Sequence, residues 1–222
     1  MSSSFSERKL KNISGMYEIL KRNCSADNND ETALIFKRGA SSKTLYDLES
    51  YKSVGGIHRI QISSKVTEFI EENEVGDKYY PFVIASIHNH RHSTTFGLRD
   101  IVTFLEYDCM EEMYLDSGDY IHHLVKKWCI TTPQFGLHKD KKHALMKKLN
   151  AIYHRISYDE TEYKKDIQRS LTMLGKGKDQ EVFLSADNSA HLINEKFWEE
   201  AKDIIPAHLT RINKRDLGFS CL

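Results

Sequence analysis

The sequence predicts an α/β domain followed by a mainly helical carboxy-terminal extension, and three observations lead there. Short β-favouring runs alternate with helically spaced ones between Glu31 and Val125. The most apolar run of the chain, Pro81-Phe-Val-Ile-Ala-Ser-Ile-His88, is short and rich in β-branched residues, as a strand covered on both faces must be. Beyond Pro133 the strand signals thin out and a long charged stretch takes over. The boundaries read from these shifts are an amino-terminal helix over 1–28, a domain over 29–132 and the extension over 133–222.

From Phe5 to Asn23, Leu10, Ile13, Met16, Tyr17 and Leu20 recur at spacings of three and four, which predicts an amphipathic helix. The polar run Ser25 to Asp30 ends it, and a strand is expected from Thr32 to Lys37. Leu45 to Ser53 shows no clear period. Gly56 to Ile62 alternates as a second strand, and Ser63-Ser64 can cap a helix carrying Val66, Phe69 and Ile70 as far as Glu72. After the buried strand, Leu98, Ile101, Val102 and Leu105 mark a helix beginning near Arg99 or Asp100. Met113 to Leu115 and Tyr120 to Val125, joined by Asp116-Ser-Gly-Asp119, read as a hairpin. The extension then predicts a long helix from Lys139 to about Leu174, a short strand Glu181–Leu184 and a last helix from Asn194 to Ile205, stopped by Pro206.

Composition narrows the function. Thirty-two Lys and Arg balance thirty-two Asp and Glu in 222 residues, so no global field draws the chain onto nucleic acid or anionic lipid. The five lysines of Lys139 to Lys148 read as a solvated helix face. No apolar run reaches the length of a membrane helix and the first residues do not resemble a signal peptide, so the expected location is the cytoplasm. The four cysteines lie far apart with no C-x-x-C, which predicts neither a thiolate zinc site nor a disulfide framework. Cys109 reads as buried filler, and Trp128 and Trp198 as core or interface anchors.

Histidine is the unusual component: eleven copies, three of them in His88-Asn89-His90-Arg91-His92. Residues two apart on a strand share a face, so the imidazoles of His88 and His90 point at one place in space. Neutral imidazole is a favoured zinc ligand, and a catalytic zinc takes three protein ligands and leaves a fourth position to water. Asp100, ten residues beyond His90 at a helix start, is the candidate third ligand. His92 reads as a loop or outer-shell residue, with the option of replacing His90 if the register differs. His122 and His123 fall in the hairpin, one facing in and the other out, in structural roles.

Ala85-Ser-Ile-His88-Asn-His90, followed by Phe96-Gly97-Leu98-Arg99-Asp100-Ile101, resembles the JAB/MPN (JAMM) metalloprotease domain, whose pattern is an upstream Glu, H-x-H-P and S-x-x-D. The resemblance spans roughly Asp30 to Lys127. It implies an MPN/JAB-like (cytidine-deaminase-like) mixed β-sheet flanked by helices, with His88, His90 and Asp100 holding Zn2+. It further implies hydrolysis of an amide or isopeptide bond in a protein substrate, ubiquitin or like it, with a Glu on an early strand as general base. Glu31 is the best-placed match; Glu49, Glu68 and Glu71 also precede the histidines. Three departures stand out: His90 and Asp100 enclose nine residues where the family usually has ten, Arg91 replaces the Pro, and Gly97 replaces the Ser whose hydroxyl supports the oxyanion, a type of donor whose loss costs about 10²–10³ in rate. Ser93, Thr94 and Thr95 are candidate substitutes for it. Gly97 is also the feature behind two other expectations: a catalytically weakened MPN-like interaction module and, further off, an assembly component that binds through its helical third.

Overall fold

The computed structural model describes residues 5–24, 31–39, 42, 44–56, 83–90, 95–107, 109–127, 139–173 and 186–219. The spacing of Ile13, Met16, Tyr17 and Leu20 forms α1 (Glu7–Asn23), which buries those four side chains. Ser6 caps it by accepting from Lys9 N, with Glu7 in the first turn and Lys21 and Arg22 in the last to match the helix dipole. The strands of the domain are β1 (Glu31–Lys37), β2 (Lys52–Gly56) and β3 (Ile84–Asn89), then, after α2 (Leu98–Glu106), β4 (Met110–Ser117) and β5 (Tyr120–Lys126). Two helices, α3 (Lys139–Met173) and α4 (Ala186–Ala201), precede β6 (Ala207–Asn213) and a closing 3-10 turn, Lys214–Leu217.

Six strands form one mixed sheet in the order β2-β1-β3-β4-β5-β6. Among the described strands only β3 and β4 run parallel; their connection must therefore cross over a face, and α2 is that crossover. Alternation sorts the side chains into two cores. On one face Ala33, Ile35, Leu115 and Leu124 pack with Phe104 of α2, Leu149 of α3, and Phe197 and Trp198 of α4. On the other Leu34, Phe36, Ile87 and Tyr114 meet Ile13 and Met16 of α1 and Leu217 of the closing turn. Each fully buried Leu, Ile, Phe or Met among them stabilises the fold by about 1.5–3 kcal/mol. No helix among the described residues is long and apolar enough to cross a membrane.

Several expectations change. The extension is mainly helical, but it also joins the sheet: after Pro206 the chain returns as β6, pairing antiparallel with β5 along its whole length, Tyr120 opposite Asn213 and Lys126 opposite Ala207. Its last helix begins earlier than expected, at Ala186, and ends at Ala201. Strand β2 occupies Lys52–Gly56 and overlaps the expected Gly56–Ile62 only at Gly56. Residues 57–62, the helix expected after Ser63, the strand expected at Glu181–Leu184 and Trp128 lie outside the described residues. Cys109 stands in the turn before β4 and is partly rather than fully buried. His122 and His123 do point to opposite faces, but neither reaches water, because helices cover both.

Candidate metal centre

The site lies where β3 ends. Strand β3 is buried over its first five residues, His88 included, so the strand delivers an imidazole to the interior without exposing it. Ala33 of β1 is paired with His88, which puts both on the face covered by α2, α3 and α4. Continuing that antiparallel register sets Glu31 opposite His90 and on the same face. Between the histidines, Asn89 points the other way and its Oδ1 accepts from Thr32 N at 2.7 Å, tying the end of β3 to the start of β1.

Asp100 arrives from the first turn of α2. Gly97, the residue before the helix, donates its N–H to Asp100 Oδ2 at 2.8 Å and accepts from Ile101 N at 3.2 Å, so the helix start itself orients the carboxylate. Asp100 Oδ2 stands 3.2 Å from His90 Nε2, and Oδ1 stands 3.6 Å from His88 Nε2. One ligand atom from each of the three residues lies within 4.8 Å of the other two, so His88, His90 and Asp100 form a group that can hold a metal ion. The imidazole rings are 4.9 Å apart at their centroids, and Phe96, itself buried, packs 6.0 Å from the His88 ring.

Electrostatics mark the same three groups. Burial pulls the His88 pKa down to about 4, against the pull of Asp100, so its ring is neutral and its lone pair available. Burial opposes a charge on His90 too, but Asp100, Glu31 and the Thr95 backbone outweigh it and raise its pKa. Asp100, despite burial, is held down to about 2 by His90, His88 and the Gly97 N–H, and is therefore a carboxylate. Both ring nitrogens of His88 are buried without a hydrogen-bond partner among the described residues. An unpaired buried polar atom costs about 1–3 kcal/mol, and a cation at the three-residue focus would remove that cost for the one ring nitrogen that ligates it.

Of the residues singled out from sequence, His88, His90 and Asp100 converge, Glu31 stands beside them, and Thr95 adjoins His90. His92, Ser93 and Thr94 lie outside the described residues. The sequence reading missed the Asn89 strut and the Phe96 wall, although both belong to the segments that carry the motif. It also gave no role to a second buried polar cluster, on the far face of the sheet, where Lys9 of α1 meets Glu112 of β4 at 2.9 Å. No protein-family model, curated protein or solved structure matches this chain.

Proposed function

We propose that this chain is a zinc-dependent hydrolase resembling the JAMM isopeptidases, cleaving an amide or isopeptide bond in a protein substrate of ubiquitin-like kind. The observation that carries the reading is the focus of two imidazoles and one carboxylate with a second carboxylate, Glu31, beside it and outside the set. Two ligand atoms about 2.0–2.1 Å from a tetrahedral zinc stand about 3.3 Å apart, and Asp100 comes to 3.2 Å of His90 Nε2 through Oδ2 and to 3.6 Å of His88 Nε2 through Oδ1, with one ligand atom of each residue within 4.8 Å of the others. Two His and one carboxylate with a vacant corner is a hydrolytic zinc set, although Fe(II) takes the same donors, so metal identity is part of the test.

Bound there, zinc would supply Lewis acidity, bringing the pKa of a water toward about 7 and polarising a carbonyl. The chain's own residues do the rest. Glu31, whose charge acts on His90, would accept the proton of the attacking water and return it to the leaving amine. Asp100, fixed by Gly97 N–H, keeps the two imidazoles aimed at one point, and Phe96 shields the His88 ring from bulk solvent. Zinc-loaded wild type should hydrolyse an isopeptide-linked ubiquitin conjugate, and Glu31→Gln should lose about 10²–10⁴ of that rate while keeping its zinc. A zinc-loaded wild type without turnover, forming instead a stable complex with a protein partner, would favour the interaction module, for which Gly97 is the specific observation.

A further inference from the structure

The helix that presents Asp100 starts without a side-chain cap. Its N-cap residue is Gly97, and no side chain of its own accepts from the first turn. Ser, Thr, Asp and Asn are preferred at this position because they satisfy N–H groups that the helix leaves unpaired. Here the space that a Cβ of Gly97 would fill is bordered by another polar group. Such a Cβ would lie 3.2 Å from Oδ1 and 3.3 Å from Nδ2 of Asn194, on α4. Both values are tighter than ordinary contact, so the glycine and the carboxamide share one small volume, and a side chain at 97 would press on Asn194. The helix bearing Asn194 is itself anchored: Phe197 and Trp198 are buried beneath it, and Lys196 and Glu200 pair with Glu160 and Arg155 of α3.

We propose that Asn194 is a positioning residue of the metal centre: its carboxamide is the polar group for the start of α2 that Gly97 lacks, and it holds the Gly97–Asp100 turn in the ligating arrangement. The proposal rests on the metal-binding reading of His88, His90 and Asp100. It assigns the carboxy-terminal helix pair a part in the site, since α4 delivers to the Asp100 turn what the local sequence does not. Outer-shell groups of this kind typically change metal affinity by about 10–100-fold.

The test is a double-mutant cycle read as Zn2+ affinity, by competition with a chromophoric chelator, and as the visible spectrum of the Co2+-loaded protein. Asn194→Ala should bind Zn2+ about tenfold more weakly and shift the Co2+ bands, with the melting temperature of the metal-free protein little changed. Gly97→Ser alone should also weaken binding, because its Cβ crowds the carboxamide. The pair Gly97→Ser with Asn194→Ala makes room and restores a cap in place, so it should bind more tightly than either single variant. Wild-type affinity in Asn194→Ala, or a double variant no better than the singles, overturns the proposal. Failure of the underlying reading looks different: wild type and His88→Ala would then bind Zn2+ equally weakly, and the assignment of Asn194 would fall with it.

Discussion

The sheet buries a polar cluster on each face, and the two are built on opposite terms. Beneath α1, Glu112 accepts from Lys9 Nζ at 3.0 and 2.9 Å, from His123 Nε2 at 2.9 Å and from the Tyr114 hydroxyl. Lys9 gives its remaining proton to Thr44 O at 2.8 Å, and His123 stacks flat on Tyr114 while its Nδ1 meets Thr210 Oγ1 at 3.2 Å. Burial raises the Glu112 pKa, but His123, Lys9 and Tyr114 overcome it and hold the carboxyl down to about 2. Beneath α2 and α4, by contrast, His88 has no hydrogen-bond partner among the described residues for either ring nitrogen. Burial alone does not separate these two sites. What separates them is where the charge finds its partners: Glu112 collects its donors from α1, β4 and β5 and fastens them together, even with the Tyr46 hydroxyl buried nearby without a partner among the described residues, whereas the His88 ring finds no donor or acceptor among them and belongs to a group that can hold a metal ion.

The contrast is broken most forcefully at the Glu112 cluster. Glu112→Ala should leave the Lys9 ammonium buried without its counter-charge and destabilise the protein by about 3–5 kcal/mol in urea unfolding. Zinc binding by the fraction that remains folded should be unaffected, because the two clusters lie on opposite faces of the sheet. Loss of zinc affinity in folded Glu112→Ala would show that the faces are coupled.

A smaller effect comes from His122, which lies on the face of the candidate metal centre, its ring 6.5 Å from that of Phe96. Burial, reinforced by the Arg211 charge, lowers its pKa to about 4. A folded pKa below the unfolded value of about 6.5 means that the unfolded chain takes up the proton first as pH falls. Stability contributed by His122 is therefore complete above pH 6.5 and is lost on the way down to about pH 4. His123, also lowered by burial, acts in the same direction. The melting temperature should fall across this window, and His122→Gln should flatten the fall by on the order of 1–3 kcal/mol. An unchanged pH profile in that variant would mean that the ring is not held neutral by burial.

Much of this arrangement can be read in one dimension where the signal is local. The apolar run ending at His88 announces a buried strand, the spacing of Leu98, Ile101 and Leu105 announces the helix that carries Asp100, and Glu31 stands at the mouth of a β-favouring run. The rest depends on pairings across long separations. Lys9 and Glu112 are 103 residues apart, and each reads locally as a surface charge. Strand β6, Ala-His-Leu-Thr-Arg-Ile-Asn, buries only Ile212 fully, so it lacks the apolar alternation that would reveal it and owes its conformation to pairing with β5. The approach of Asn194 to the space a Cβ at Gly97 would fill joins a loop to the extension, and no local pattern in either segment points to the other.

The most direct test of the central claim is the metal content of purified wild type beside His88→Ala, His90→Ala and Asp100→Asn, prepared without chelators. Wild type should carry stoichiometric zinc and gain thermal stability from it, and each variant should lose the metal while its metal-free fold keeps nearly the wild-type melting temperature. Equally little zinc in wild type and His88→Ala would contradict the account.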